Sequence, residues 1–233
     1  MNKKVIIDIG HWESDSGAVG QGFREVDLNI SIAKYCTEEL KRHGVEVKNT
    51  SGSLSNRCVV EKAWGADYFV SIHINAGGGD GTEIFTLSTT GKGREIASKI
   101  YDEIVPRLNN GRGLKTANFY VLKNTNAPAC LIECAFIDTK DLECIDEEHE
   151  RKEWGKAIAK GILKQLNIAY KDEVIVKPPA NNNLTNSSTT SNVYRIFIDG
   201  KQRGTAYANH KNILGMVETA LKNNATIIEV KKK

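Results

Sequence analysis

Short segments rich in valine and isoleucine alternate with longer segments of helical periodicity through the first 170 residues of the chain. Strands are predicted at residues 4–9, 45–49, 68–73, 82–87, 119–122 and 130–134, and helices at about 25–43, 55–65, 92–107 and 150–167. This alternation is typical of a sheet whose crossover helices cover both faces. The sequence therefore predicts an α/β domain with a twisted, mostly parallel sheet of about six strands.

The composition changes after this domain. Residues 172–192 include the segment KPPANNNLTNSSTTSN, which offers almost nothing to bury and predicts a flexible linker between a domain at 1–171 and a small domain at 193–233. The small domain has the pattern of a β-hairpin, a helix near 209–223 and a third strand, which predicts a ββαβ-like α+β fold.

The predicted small domain is basic. It contains eight Lys and Arg residues against three acidic residues, a balance of +5 in a chain whose net charge is +3. Its 41 residues are few for an independent core, so we expect it to pair with a second copy as a homo-oligomer or to dock on the first domain.

Bulk properties exclude several classes of protein. The net charge is too small to indicate nucleic-acid binding, and no segment approaches the roughly 18 apolar residues of a membrane span. The start, MNKKVIIDIG, contains Asp8 and precedes no small-residue cleavage site, so it predicts a first strand without a signal peptide and synthesis in the cytoplasm. The five cysteines lack CxxC spacing and are expected to be reduced thiols.

Four polar residues stand out against this background. His11 and His73 each follow an apolar strand segment, Glu25 precedes a long amphipathic helix, and Glu133 lies within the apolar segment ACLIECAF. Each alone has an ordinary explanation, such as a structural histidine or an acid that favours a helix N-terminus. Parallel strands place their carboxyl ends at one sheet edge, so the four together predict a metal site. Two His and one carboxylate suit a catalytic zinc site, with a further Glu as base.

Longer motifs carry a resemblance to a known family. They occur in one order over about residues 3–168: Gly10-His11, Glu25 with Leu28-Asn29, Ser71–Ala76 (SIHINA), Arg112–Lys115 (RGLK), and Leu131-Ile132-Glu133. This string resembles the zinc-dependent N-acetylmuramoyl-L-alanine amidases of the amidase-3 family. That family cleaves the amide between N-acetylmuramic acid and the L-alanine of the peptidoglycan stem peptide.

The resemblance implies a role for each matching residue. His11, Glu25 and His73 become the Zn²⁺ ligands, and Glu133 corresponds to the catalytic glutamate. Zinc lowers the pKa of its bound water towards ~7 and polarises the amide carbonyl. Glu133 then takes the proton of the water and returns it to the leaving amine.

Substrate contacts are less well defined by the sequence. Asn75 and Ala76 follow the second histidine and are candidates for orienting substrate, with a turn as the alternative. Arg112 is a candidate for binding a carboxylate of the peptide, with a solvated loop arginine as the alternative. The chain also departs from the family pattern, with Ala135 and Asp138 where glycine and asparagine are usual.

The resemblance, together with the predicted small domain, favours a phage endolysin of a Gram-positive, clostridial-type host. Such an enzyme is made in the host cytoplasm and acts at the cell wall after release, and the basic domain would hold it on a wall polymer. The alternatives are a bacterial autolysin or sporulation mother-cell amidase, a zinc carboxypeptidase, and a non-catalytic wall-binding protein.

Overall fold

The computed structural model describes residues 3–107 and 110–172 and the backbone of three strands at 194–198, 201–202 and 228–232. The chain divides into two compact units, Met1–Val174 and Ile175–Lys233. No helix among the described residues has the length and apolar character that crossing a membrane requires.

The first unit is built on a six-stranded sheet. The described residues of this unit form eight strands: β1 (Lys4–Ile9), β2 (Val19–Gly20), β3 (Phe23–Arg24), β4 (Glu46–Thr50), β5 (Tyr68–Asn75), β6 (Thr82–Thr86), β7 (Gly111–Thr116) and β8 (Ala129–Phe136). Strands β2 and β3 form a separate hairpin, and the other six form the sheet. The order across the sheet is β4-β1-β5-β8-β6-β7. Every neighbouring pair is parallel except β8 and β6, which run antiparallel. The predicted mostly parallel α/β sheet is confirmed.

Helices cover both faces of this sheet. They are α1 (Glu25–Arg42), α2 (Leu54–Trp64), α3 (Lys92–Ile104), α4 (Tyr120–Asn124) and α5 (Glu148–Gln165). Alternate strand residues point to opposite faces, so Ile7 and Ile72 join the large core under α1, α3 and α5, whereas Ile6 and Phe69 join a smaller core under α2 and α4. Because α2 and α4 are short, the second face is covered less completely.

One predicted strand is wrong and one observed strand was not predicted. Residues 119–122 were expected to form a strand, but they begin the short helix α4, which buries Val121 and Leu122. The sixth strand is instead β7, at the sheet edge, whose sequence GRGLKT has two glycines and few apolar residues. An edge strand with one partner needs little apolar surface, so its pattern is weak.

The second unit contains an antiparallel three-stranded sheet. Its strands are β9 (Tyr194–Ile198), β10 (Lys201–Gln202) and β11 (Ile228–Lys232), in the order β10-β9-β11. Strands β9 and β11 agree with the predicted first and third strands of the small domain, whereas β10 lies within residues 199–202, for which the sequence predicts a turn. The predicted second strand at 203–208 lies outside the described residues. The helix predicted near 209–223, and the linker from residue 173 onward, lie outside the described residues.

Candidate active site

His11 occupies a tight turn directly after β1. Its φ of 63° lies in the left-handed region, which is uncommon for a residue with a side chain. The buried guanidinium of Arg57 on α2 supports this turn, because Nη2 donates to the carbonyl of His11 at 3.0 Å. The same guanidinium donates to Asp8 at 3.0 Å and to the Gly52 carbonyl at 2.8 Å. Arg57 therefore ties the His11 turn to α2 and to the end of β1.

His73 lies inside β5, and its ring packs against the backbone of Gly10. A Cβ atom on Gly10 would come within 2.6 Å of the His73 ring. Gly17 makes a similar approach from the other side, where a Cβ would lie 2.5 Å from both the His11 ring and the Glu25 carboxylate. Gly17 also has a φ of 64°, so a side chain there is disfavoured twice. The absence of a side chain at Gly10 and at Gly17 thus leaves the space that the two imidazoles and the Glu25 carboxylate occupy.

Glu25 begins α1, and its buried carboxylate lies between the two imidazoles. Oε2 is 3.2 Å from His11 Nε2, and Oε1 is 3.0 Å from His73 Nδ1. The backbone N–H groups of Ala18 and Ile74 donate to the same carboxylate at 3.0 and 3.1 Å. These contacts fix the orientation of both oxygens.

The hydrogen bonds between Glu25 and the two histidines shift the pKa values of Glu25 and His11. Burial opposes the charge on Glu25, but hydrogen bonds with the two imidazoles outweigh burial and hold the pKa of its carboxyl well below the ordinary value. The hydrogen bond to Glu25 raises the pKa of His11 to about 9, with a further contribution from Asp15. The Asp15 carboxylate lies 2.9 Å from His11 Nδ1, which leaves Nε2 facing Glu25.

The three residues fit a zinc ion. One side-chain donor atom from each of His11, Glu25 and His73 lies within 4.8 Å of the others. Two imidazole nitrogens and one carboxylate oxygen are donors that zinc prefers, and a three-ligand set leaves a position for water or substrate. The Asp15 contact resembles the outer carboxylate that orients a ligating histidine in zinc proteins. The structure thus brings together the three residues predicted as ligands.

Glu133 lies beside this group, on the sheet face that α2 and α4 partly cover. It pairs in register with His73 on β5 and with Glu83 on β6. Its Oε2 atom is buried, and no described residue donates a hydrogen bond to it. Burial, followed by the nearby charges of Glu25 and Glu83, raises the pKa of Glu133 to about 8. A buried carboxyl with a raised pKa beside a metal-binding group has the properties of a general acid or base.

The candidate site therefore extends from the predicted sheet edge onto one face of the sheet. His11 and Glu25 lie beyond the strand ends, but β5 continues to Asn75 and β8 to Phe136, so His73 and Glu133 project from the face of the sheet. The strands predicted from the sequence end at residues 73 and 134, two residues short of the observed ends.

The residues predicted to contact substrate surround a second carboxylate, Glu83. Asn75 Nδ2 donates to Glu83 at 3.0 Å, and Arg112 Nε donates to Glu83 at 2.6 Å. Lys115 donates to the same Glu83 oxygen. The Ala76 amide instead donates to the Asn75 side chain at 2.8 Å, as in a local turn. Hydrogen bonds with Lys115 and Arg112 overcome the effect of burial and lower the pKa of Glu83.

Four further residues of the site region were not identified from the sequence: Glu83, Lys115, Asp8 and Arg57. Glu83 and Asp8 each stand within an apolar strand segment, which is the signal that identified Glu133 and could have identified them. Asp8 is fully buried and accepts hydrogen bonds from Arg57, Ser71 and Thr50. No pattern around Arg57 or Lys115 predicts which carboxylate either will bind.

Comparisons with known proteins identify the family of the chain. Residues 5–164 match the family model described as N-acetylmuramoyl-L-alanine amidase. The chain is 39% identical to the sporulation-specific N-acetylmuramoyl-L-alanine amidase of Bacillus subtilis over 58% of this chain and 57% of that protein. It is 35% identical to the endolysin of Bacillus phage SPP1 over 73% of this chain and 69% of that protein.

A solved structure shares the fold. The catalytic domain of CwlV, an N-acetylmuramoyl-L-alanine amidase from Bacillus (Paenibacillus) polymyxa var. colistinus, superposes with a TM-score of 0.67 at 30% identity. The match covers 72% of this chain and 99% of that domain.

Proposed function

The chain belongs to the N-acetylmuramoyl-L-alanine amidase family, and we propose that it cleaves the peptidoglycan amide with zinc held by His11, Glu25 and His73 and with Glu133 as the proton carrier. The observation that carries this proposal is the position of Glu133. Its carboxyl is buried, unpartnered at Oε2 among the described residues, and in register with one of the two histidines of the His-Glu-His cluster.

In the proposed reaction, three residues hold the zinc and Glu133 transfers the proton. When bound, zinc would supply Lewis acidity to the amide carbonyl and acidity to the attacking water. His11 and His73 would hold it through ring nitrogens, while the hydrogen bonds from Ala18 and Ile74 keep the Glu25 carboxylate oriented. The Glu133 carboxylate accepts the proton of the attacking water at Oε2 and returns it to the leaving alanine nitrogen.

Arg112 is the residue we assign to a carboxylate of the stem peptide. Arg112 and Lys115 together bring two positive charges to the single buried carboxylate of Glu83. One positive charge is left over, which favours an additional anion at this place. Asn75 supports the arrangement from the other Glu83 oxygen, whereas the engaged amide of Ala76 favours a turn over a substrate contact.

Product analysis distinguishes this reaction from that of a zinc carboxypeptidase. Purified peptidoglycan is digested with the full chain, and new amino termini and released amino acids are identified by mass spectrometry. An amidase produces new N-terminal L-alanine and intact glycan chains. Release of terminal D-alanine without new N-terminal alanine would assign the carboxypeptidase activity instead. The Glu133→Gln variant serves as the control for contaminating hydrolases.

For the biological role we favour a phage endolysin whose small basic domain at 193–233 binds a wall polymer. The similarity to the phage SPP1 endolysin supports this role, but the similarity to a sporulation-specific amidase supports a mother-cell amidase or autolysin as the second candidate. The neighbouring genes discriminate between them. A holin gene beside this one indicates an endolysin, whereas sporulation genes indicate a mother-cell enzyme.

A further inference from the structure

An open pocket of about 200 Å³ adjoins His73 and Glu133 on the face of the sheet that α2 and α4 partly cover. Its remaining walls are apolar. Val121 and Leu131 form buried parts of the lining, and Leu54, Phe119 and Tyr120 contribute exposed side chains. The pocket is therefore continuous with the candidate catalytic carboxylate and carries no charge other than those of the site.

A large share of the exposed hydrophobic side chains lies at this pocket. Seven large hydrophobic residues are exposed in the part of the chain that the structure describes, and three of them line it: Leu54 at 48%, Phe119 at 39% and Tyr120 at 44%. Clustered exposed apolar surface beside a reactive group usually marks a binding site. The Phe119 ring also packs edge-on against Phe85, with centroids 5.0 Å apart, so it is held in place before any ligand arrives.

The neighbouring strand gives Glu133 surroundings of a different, charged character. On β6, the Glu83 carboxylate forms ion pairs with Arg112 and Lys115 of β7. Two cations against one carboxylate leave a net positive charge there. Glu133 thus adjoins both an uncharged apolar pocket and a cationic group.

The scissile amide divides the substrate in the same way. On its acyl side stands the N-acetylated sugar with its lactyl group, which is uncharged while the lactyl carboxyl is amide-linked. On its amine side stands the peptide, whose later residues carry free carboxylates. The uncharged half of the substrate therefore matches the apolar pocket, and the anionic half matches the cationic group.

We propose that the pocket of Leu54, Phe119 and Tyr120 binds the muramic acid half of the substrate, with the Tyr120 ring against the C–H face of the sugar and the peptide directed towards Arg112 and Lys115. This assignment rests on the proposed amidase function and adds the direction in which the substrate lies. An aromatic ring offers a rigid apolar face that matches the flat C–H surface of a pyranose.

Direct binding tests the proposal on the full, zinc-loaded chain. N-acetylmuramic acid, with its lactyl carboxyl capped as a methylamide so that it is uncharged as in the substrate, and a free stem peptide that begins L-Ala-D-Glu are titrated separately into wild type and variants by calorimetry. Tyr120→Ala is expected to weaken N-acetylmuramic acid binding roughly tenfold and to leave peptide binding unchanged. Tyr120→Phe keeps the ring and should bind like wild type, and Ile30→Ala removes an exposed apolar side chain outside the pocket as the matched control.

Three outcomes would overturn the proposal: equal weakening of both ligands by Tyr120→Ala, weakening of the peptide alone, or absence of N-acetylmuramic acid binding by wild type. Failure of the proposed amidase function looks different. In that case wild type binds N-acetylmuramic acid in a manner that depends on Tyr120 but produces no N-terminal alanine from peptidoglycan.

Discussion

Glu133 and Glu83 are neighbours in one row of the sheet, yet their surroundings shift their acidities in opposite directions. Glu83 meets two cations, which lower its pKa in spite of burial. Glu133 is half-buried, its Oε2 atom has no such partner, and its pKa rises to about 8. The site therefore favours the ionised form of Glu83 and leaves Glu133 able to exchange a proton near neutral pH.

The raised pKa of Glu133 predicts a pH dependence of stability for the zinc-free protein. A carboxyl whose pKa is higher in the folded than in the unfolded state stabilises the fold below its unfolded pKa. That stability is lost as the pH rises through the folded pKa. Between roughly pH 4.5 and 8, Glu133 should therefore cost up to about 1.4 kcal/mol of unfolding free energy per pH unit.

Glu133→Gln should remove this slope. Urea unfolding of the chelator-treated protein at a series of pH values measures it, with wild type as the reference. Parallel stability curves for the two proteins across this range would contradict the assigned pKa.

Asp15 predicts a separate effect on metal affinity. Its carboxylate is half exposed to solvent and lies 2.9 Å from His11 Nδ1. Loss of a carboxylate that orients a ligating histidine typically weakens metal binding by about 10- to 100-fold. Asp15→Ala should do so with little change in unfolding free energy, as measured by competition with a chromogenic chelator. Asp27→Ala, which removes an exposed acid on α1, is the control and should bind zinc like wild type.

At the residue scale, the sequence was informative where chemistry and strand position coincide. His11, His73 and Glu133 follow or interrupt apolar segments, Glu25 precedes a long amphipathic helix, and the fold brings all four together. Arg57 and Lys115 could not be assigned, because the partner of a long cationic side chain depends on elements that are distant in sequence. Arg57, for example, binds the carbonyl of His11 across 46 positions.

Among the elements, α5 shows how closely the helices on one face approach. Gly155 faces α1, where a Cβ atom would lie 2.7 Å from the backbone nitrogen of Cys36 and the carbonyl oxygen of Ile32. Backbone atoms at this distance cannot move without shifting the helices. Gly155 thus sets the separation between α5 and α1.

Gly155→Ala should therefore destabilise the first unit by about 1–3 kcal/mol through overpacking. Helix propensity alone predicts the opposite sign, because alanine favours a helix interior over glycine by about 1 kcal/mol. Denaturant unfolding followed by circular dichroism decides between them. An increase in stability would mean that the helices are not in close contact at this point.

The elements that were mispredicted are short or lie at an edge. Helix α4 has five residues, too few for helical periodicity to be distinguished from a strand. Strand β7 pairs with β6 alone and contains two glycines, so it lacks the apolar pattern of the central strands. The long helices and the inner strands bury continuous faces, and their patterns were correspondingly clear.

On the scale of the whole molecule, the predicted wall-binding domain implies a division of labour. Deletion of residues 172–233 should leave hydrolysis of soluble muropeptides unchanged, because the candidate site lies wholly within residues 8–133. The same deletion should slow lysis of intact cells, because tethering raises the local concentration of the enzyme at its substrate. Turbidity assays on cells and chromatography of soluble products measure the two effects. Equal lysis by both proteins would remove the targeting role.

The most direct test of the account compares wild type with Glu133→Gln for both zinc content and hydrolysis. Glu133→Gln should bind one zinc per chain with wild-type affinity, because His11, Glu25 and His73 are unchanged, and should lose hydrolysis of muropeptides by at least about 100-fold. Turnover by Glu133→Gln at the wild-type rate would contradict the assignment of Glu133 as the proton carrier. A folded wild type that hydrolyses muropeptides fully after its zinc has been removed would contradict the metal site itself.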